Sequence, residues 1–231
     1  MADFNEYVLP LFEAKIVEGE IVETPKFLGM SFNINRNGAI ATCAHLFSDL
    51  DSNKTVIGIQ MSDYQFFQVD NIQCHEKYDF AIASVNKSNS VVLNLVDQSR
   101  FNPGLDIVAY GVNSNGRVGQ KLDLCPRLMK GHIVRVGIQP VVPHAKSICE
   151  ISFPSLAGFS GTPILSNEAD TQQVAGMLYG NYESSIELFK VTEIDESGSS
   201  YNEQIHRVFE FGLAHTPDDI RQFLSDLGFE S

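Results

Sequence analysis

Residues 155–165 read Ser155-Leu156-Ala157-Gly158-Phe159-Ser160-Gly161-Thr162-Pro163-Ile164-Leu165, a run of small residues that opens into an apolar strand. One serine stands between two glycines there, which is how a nucleophile is displayed. A serine hydroxyl attacks only when a base takes its proton and backbone N–H groups await the developing oxyanion. Gly158 lets the backbone turn its N–H groups toward one point, and Gly161 clears the space beside the hydroxyl. Gly and Ser also dominate ordinary turns. The stretch alone therefore leaves two readings, a nucleophile loop and a plain connection between strands.

Upstream, two short alternating runs flank Arg36-Asn37-Gly38, and Asn-Gly marks a hairpin. The second run ends in Thr42-Cys43-Ala44-His45, which puts His45 at a strand end, where an imidazole leans over a cleft. Farther on, Asp79 opens the apolar run Phe80-Ala81-Ile82-Ala83. A carboxylate there needs a partner before it is partly buried, and an imidazole N–H is such a partner. Taken alone, Asp79 reads equally well as the cap of a turn. The order His45, Asp79, Ser160 adds the information that each residue lacks by itself.

With these residues in view, the chain resembles the trypsin/chymotrypsin-like serine peptidases, and within them the bacterial Deg/HtrA-type branch. Gly29-Met30-Ser31-Phe32 stands for that family's Gly-X-Gly-Phe, Thr42-Cys43-Ala44-His45 for Thr-Ala-Ala-His, and Asp79-Phe80-Ala81-Ile82 for Asp-(Ile/Leu)-Ala-Leu. Gly158-Phe159-Ser160-Gly161-Thr162-Pro163 stands for Gly-(Asp/Asn)-Ser-Gly-Gly-Pro. Val174-Ala175-Gly176-Met177 and Phe211-Gly212-Leu213-Ala214 look like the later strands that wall the substrate pocket.

The resemblance implies an all-β fold of two six-stranded antiparallel barrels, a site between them, and a C-terminal helix with no PDZ-like module after it. It implies peptide hydrolysis through an acyl-enzyme. Ser160 attacks, His45 is general base and then acid, and Asp79 holds the imidazole tautomer. The Gly158 and Ser160 N–H groups form the oxyanion hole. No cofactor and no metal are implied, and the histidines and cysteines show no ligand spacing.

The resemblance also places Pro154, Ser155, Tyr179, Gly180 and Gly212 around the primary substrate pocket. No carboxylate stands at Pro154-Ser155, so a neutral, moderate or apolar side chain is expected. Glu183 or Glu210 would restore a cationic preference if turned inward. Two residues depart from the pattern. Phe159 replaces the Asp that, in zymogen-activated members, pairs with a newly cut N-terminus; order in the oxyanion loop must then come from packing or from a partner. Thr162 replaces the usual second glycine. These departures keep open an alternative, a catalytically silent or partner-activated domain that binds peptides within a signalling or defence assembly.

Composition agrees with one compact domain: 231 residues, 43% hydrophobic, with no apolar stretch long enough to span a membrane. Asp3, Glu6 and Pro10 spoil any signal-peptide pattern, so a cytoplasmic protein is expected, and the Deg/HtrA-type resemblance implies a bacterial one. Cys43, Cys74, Cys125 and Cys149 are widely spaced and read as free thiols. A cysteine peptidase built on Cys43 or Cys149 is a poorer reading, because neither sits in a glycine-flanked elbow. A net charge of -13 argues against nucleic acid, and a protein or peptide substrate fits better.

Organised by these signals, residues 1–96 form the first barrel, 97–105 the crossover and 106–214 the second barrel. Strands are expected at 7–17, 27–35, 39–44, 54–61, 65–73 and 80–85. A second set falls at 106–112, 117–124, 130–136, 147–153, 161–165, 174–179 and 208–213. The helix runs over 216–228, with Thr216 as N-cap, Pro217 in the first turn, an Ile220, Phe223, Leu224, Leu227 stripe facing the second barrel, and Gly228 at its end. The insertion 181–210 reads as a protruding hairpin with a mobile tip at 195–200, beside the pocket, where a lid or a regulatory protein partner would act.

Overall fold

The computed structural model describes residues 4–88, 91–118, 121–138, 144–166, 172–194 and 200–229. The first barrel is built from β1 (Val8–Ala14), β4 (Lys26–Asn33), β5 (Ala39–Thr42), β6 (Thr55–Ile59), β7 (Phe66–Cys74) and β8 (Ala81–Val85), closed in the order β1-β4-β5-β8-β7-β6. Every residue of β1 is buried. Val8 and Leu11 feed the main core, whereas Phe12 and Ala14 pack with Ile57 beneath Ile16 and Ile21. Those two isoleucines belong to the short ribbon of β2 (Ile16–Val17) and β3 (Glu20–Ile21). The expected single strand 7–17 is thus broken at Lys15: residues up to Ala14 pair within the barrel, while Ile16 and Val17 leave it to pair with β3 across a turn at Glu18 and Gly19, both at positive φ.

The second barrel closes in the order β10-β11-β14-β13-β12-β9. Its members are β9 (Asp106–Val118), β10 (Lys121–Gly137), β11 (Ile148–Ile151), β12 (Pro163–Ser166), β13 (Val174–Ile194) and β14 (Ser200–His215). The three strands expected between 106 and 136 are two: β9 and β10 pair almost without interruption from His132↔Asp106 to Lys121↔Val118. A register shift between Leu122 and Leu124 absorbs the irregularity that breaks the alternation in the sequence. Likewise β13 and β14 run on past the barrel as one ribbon, paired to Ile194↔Ser200, so the inserted hairpin extends two barrel strands directly. The expected mobile tip falls mainly on 195–199, outside the described residues.

α1 (Pro217–Asp226) begins where its capping signals place it, with the Asp219 N–H donating to Thr216 Oγ1 at 3.1 Å. Its apolar stripe was expected against the second barrel, but it joins both. The Phe223 ring lies 4.8 Å from that of Tyr78 and 5.4 Å from Phe80, on the first barrel's side, and 5.3 Å from His215 at the end of β14. Thr216→Ala is expected to lower stability by about 1 kcal/mol through the lost cap. Chemical unfolding checks this, with a lower midpoint and an unchanged denaturant dependence.

Candidate active site

Three strand ends converge at the seam between the barrels. His45 sits in a single helical turn, Ala44–Phe47, directly after β5. Asp79 lies two residues before β8, and Ser160 lies in the loop that enters β12. His45 and Asp79 make two contacts: Nδ1 to Oδ2 at 2.6 Å, and the His45 backbone N–H to Oδ1 at 2.9 Å. The Asp79 side chain is 15% exposed and that of His45 45%, so the carboxylate is sheltered while the imidazole faces the cleft. Burial pushes the Asp79 carboxyl up, but the two His45 hydrogen bonds, with the His45 and His215 imidazoles nearby, hold it below the usual carboxylate range.

Asp79 is also fixed through its main chain. Its N–H donates to the His144 carbonyl at 3.0 Å, and its C=O accepts from His215 Nε2 at 2.9 Å. His215 is 1% exposed, stacks on Tyr179 at 4.4 Å, and keeps Nδ1 without a hydrogen-bond partner among the described residues. Neither His215 nor His144 stood out in the sequence. The only local signal for His215 was its place one residue before the helix cap.

The Ser160 loop is held from both barrels. Met30 N–H of β4 donates to the Ser160 carbonyl at 2.8 Å, and Gly161 N–H donates to the Leu178 carbonyl at 2.8 Å. Gly161 has φ +86°, and a Cβ there would stand 1.9 Å from the Met30 carbonyl oxygen. No residue but glycine fits. Leu156 to Phe159 form a turn closed by Phe159 N–H to Leu156 C=O at 2.8 Å, with Gly158 at φ +90° in its third position, as a type II turn requires. Among the described residues, neither the Gly158 nor the Ser160 N–H donates to a protein acceptor, and the Ser160 hydroxyl makes no hydrogen bond to His45. Catalytic hydrogen bonds in ligand-free proteins are often long.

Phe159 is wholly buried in the second barrel's core, its ring against Gly111. Thr162 is equally buried, and its hydroxyl has no partner among the described residues.

Of the expected pocket residues, Tyr179 and Gly180 line a cavity of about 500 Å³ beside His45, together with Asn181, His144 and Asp79. Pro154, Ser155 and Gly212 lie outside that cavity. The Asn181 side chain instead grips Ser155, accepting from its N–H at 2.6 Å and donating to its C=O at 2.9 Å. A larger cavity of about 960 Å³, between Phe32, Leu93 and Leu224, holds none of the three expected catalytic residues.

Cys43, His45 and Asp79 bring possible metal ligand atoms within 4.8 Å of one another. The three are already committed elsewhere. His45 and Asp79 bond each other, and the buried Cys43 thiol, pushed up by burial and by the Asp79 charge, donates to the Leu178 carbonyl at 3.3 Å. Burial, reinforced by Asp219 and Glu150, raises the Cys149 thiol to about 12. Neither thiol is poised to react as a thiolate.

No protein-family model and no curated protein matches the chain. Solved structures do. The HtrA-type protease AlgW with a decapeptide superposes with a TM-score of 0.64 at 14% identity, over 97% of this chain and 65% of that one. AlgW with a tripeptide gives 0.63 at 14%, over 97% and 62%. An inactive form of Rv3671c from M. tuberculosis gives 0.62 at 15%, over 97% and 87%. The chain thus has the two-barrel fold of the trypsin-like, HtrA-type proteases, and it spans less than two thirds of the AlgW chains. At such identity the likeness is one of fold.

Two expectations follow from the packing. Phe159→Ala is expected to cost about 3–5 kcal/mol, as a large buried ring removed from a core does, measured by urea unfolding. His215 has a depressed pKa because burial disfavours its charged form, only partly countered by the Asp79 carbonyl and the charges of Asp79 and Asp219. The unfolded chain binds its proton near pH 6.5, which the folded chain refuses. Stability therefore falls as pH drops below about 6.5. The fall is expected to be shallower in His215→Gln, read from unfolding midpoints between pH 7.5 and 5.

Proposed function

We propose that the chain is a serine endopeptidase that cleaves protein or peptide substrates through an acyl-enzyme on Ser160. The observation that carries the reading is the doubly bonded His45–Asp79 pair beside a glycine-shaped serine loop with two uncommitted N–H groups. Asp79 fixes the His45 tautomer with the proton on Nδ1, which leaves Nε2 free to take the Ser160 proton. Oγ then bonds the carbonyl carbon, and the oxygen gains its charge against the Gly158 and Ser160 N–H groups. His45 returns the proton to the leaving amine. Water repeats the sequence and frees Ser160. Peptides bound to the AlgW structures support peptide as the substrate class.

Cys43, Cys74 and Cys149 form no disulfide, which is in keeping with a reducing compartment; a cytoplasmic location is part of this proposal. Among the described residues no helix is long and apolar enough to cross a membrane. The β13–β14 ribbon exposes Ile186, Leu188, Phe189, Tyr201, Ile205 and Val208. Apolar side chains exposed on a projecting ribbon favour recognition of a regulatory protein partner.

A fluorophosphonate probe is expected to label the wild-type protein and not Ser160→Ala. Mapping of new protein N-termini in cells carrying each form should then show cleavages lost with the serine. Absence of labelling in well-folded wild-type protein, with and without cell extract, would favour the peptide-binding alternative.

A further inference from the structure

We infer that Asn181 is a specificity gate that closes the slot beside the Ser160 loop, so that the residue on the acyl side of the cleaved bond must carry a small side chain such as that of glycine, alanine or serine. The inference rests on the peptidase reading above and names the substrate class of that site. A substrate carbonyl on Ser160 has its oxygen toward the Gly158 and Ser160 N–H groups and its leaving group toward His45. The pocket that the sequence resemblance places around Ser155, Tyr179, Gly180 and Gly212 would receive the side chain next to that carbonyl, between residues 153–155 and the Gly180–Asn181 segment of β13.

Three hydrogen bonds cross that space. At its base the Gly212 N–H donates to the Phe153 carbonyl at 2.9 Å, and a Cβ on Gly212 would stand 2.6 Å from the same oxygen. Backbone lies on backbone there. At its mouth the Asn181 carboxamide spans to Ser155 through both of its polar atoms, at 2.6 and 2.9 Å. The cavity beside His45 reaches Asn181 and stops short of Ser155. A side chain as short as a methyl group has the least need to disturb this bridge. A phenylalanine or leucine side chain must first break it, stripping the Ser155 N–H and C=O of their partners.

Asn181 is solvent-exposed, so its carboxamide can swing into water when displaced. The gate therefore sets a preference and not an absolute block. Two neutral hydrogen bonds exchanged for water are worth roughly a tenfold preference.

Peptidyl diphenyl phosphonates with alanine or phenylalanine at the acyl-side position, compared by their rates of Ser160 modification, test this. The wild-type protein should react about tenfold or more faster with the alanine reagent. In Asn181→Gly and Asn181→Ala that ratio should fall toward one. The ratio is internal to each variant, so partial unfolding does not distort it. Equal wild-type rates, or a ratio unchanged in both variants while a fluorophosphonate still labels Ser160, would overturn the gate alone. Failure of the fluorophosphonate on every form overturns the peptidase reading and the gate with it.

Discussion

The arrangement depends on one close approach of two backbones. Gly161 lies against the Met30 carbonyl so tightly that even a methyl group has no room, while Met30 N–H and the Ser160 carbonyl bond across the same seam. Thr42 at the end of β5 donates to that Met30 carbonyl at 2.6 Å, two residues before the helical turn that carries His45 begins. The strand end that positions the imidazole and the loop that positions the serine thus share one residue, Met30, as their anchor. A glycine at 161 is required by this contact, apart from any demand of catalysis.

The second constraint is order within the serine loop. An acidic residue before the serine would need a buried cation to match it, and a charge left unpaired there is expensive. Phe159 removes that requirement. Its ring fills space over Gly111 in the second barrel, and the same residue closes both flanking turns, as donor to Leu156 and as acceptor from Thr162. Apolar burial carries no titrating group and needs no liberated N-terminus, so the loop's shape is built in by folding. Thr162, where the sequence resemblance expects a glycine, is buried, at the expense of a hydroxyl with no partner among the described residues.

Much of this was legible from local pattern. The hairpin at Asn37-Gly38 turns where the dipeptide places it, and Asn35 accepts from both Asn37 and Ala39 N–H at 2.9 Å. The α1 cap and most of the first barrel's strands follow from residues whose signals are short-range, whereas the His45–Asp79 contact was reached only through the order of the three residues and the family resemblance. Other features depend on distant partners. The continuity of β9 and β10 is decided by cross-strand pairing, which overrides the polar interruption near 113–116. Asn181 looked like the first residue of an insertion, since nothing within its own segment announces that Ser155 stands opposite. His215 is a polar residue at the apolar end of β14, and only the tertiary fold shows that it faces a carbonyl of the other barrel.

That carbonyl belongs to Asp79, and its surroundings show how the halves are coupled. In sequence Asp79 belongs to the first barrel. Its main chain is held by His144, in the segment between β10 and β11, and by His215 at the end of β14. Phe223 of α1 then packs against Tyr78, Phe80 and His215 together, so the helix seals the turn that carries the carboxylate. Conversely Ser160, in the second barrel, takes its anchor from Met30 of the first. Each half supplies one end of the constellation and positions the other half's end. A loosened barrel interface would therefore displace the carboxylate and the serine in the same event, and the site exists only as a property of the closed two-barrel unit.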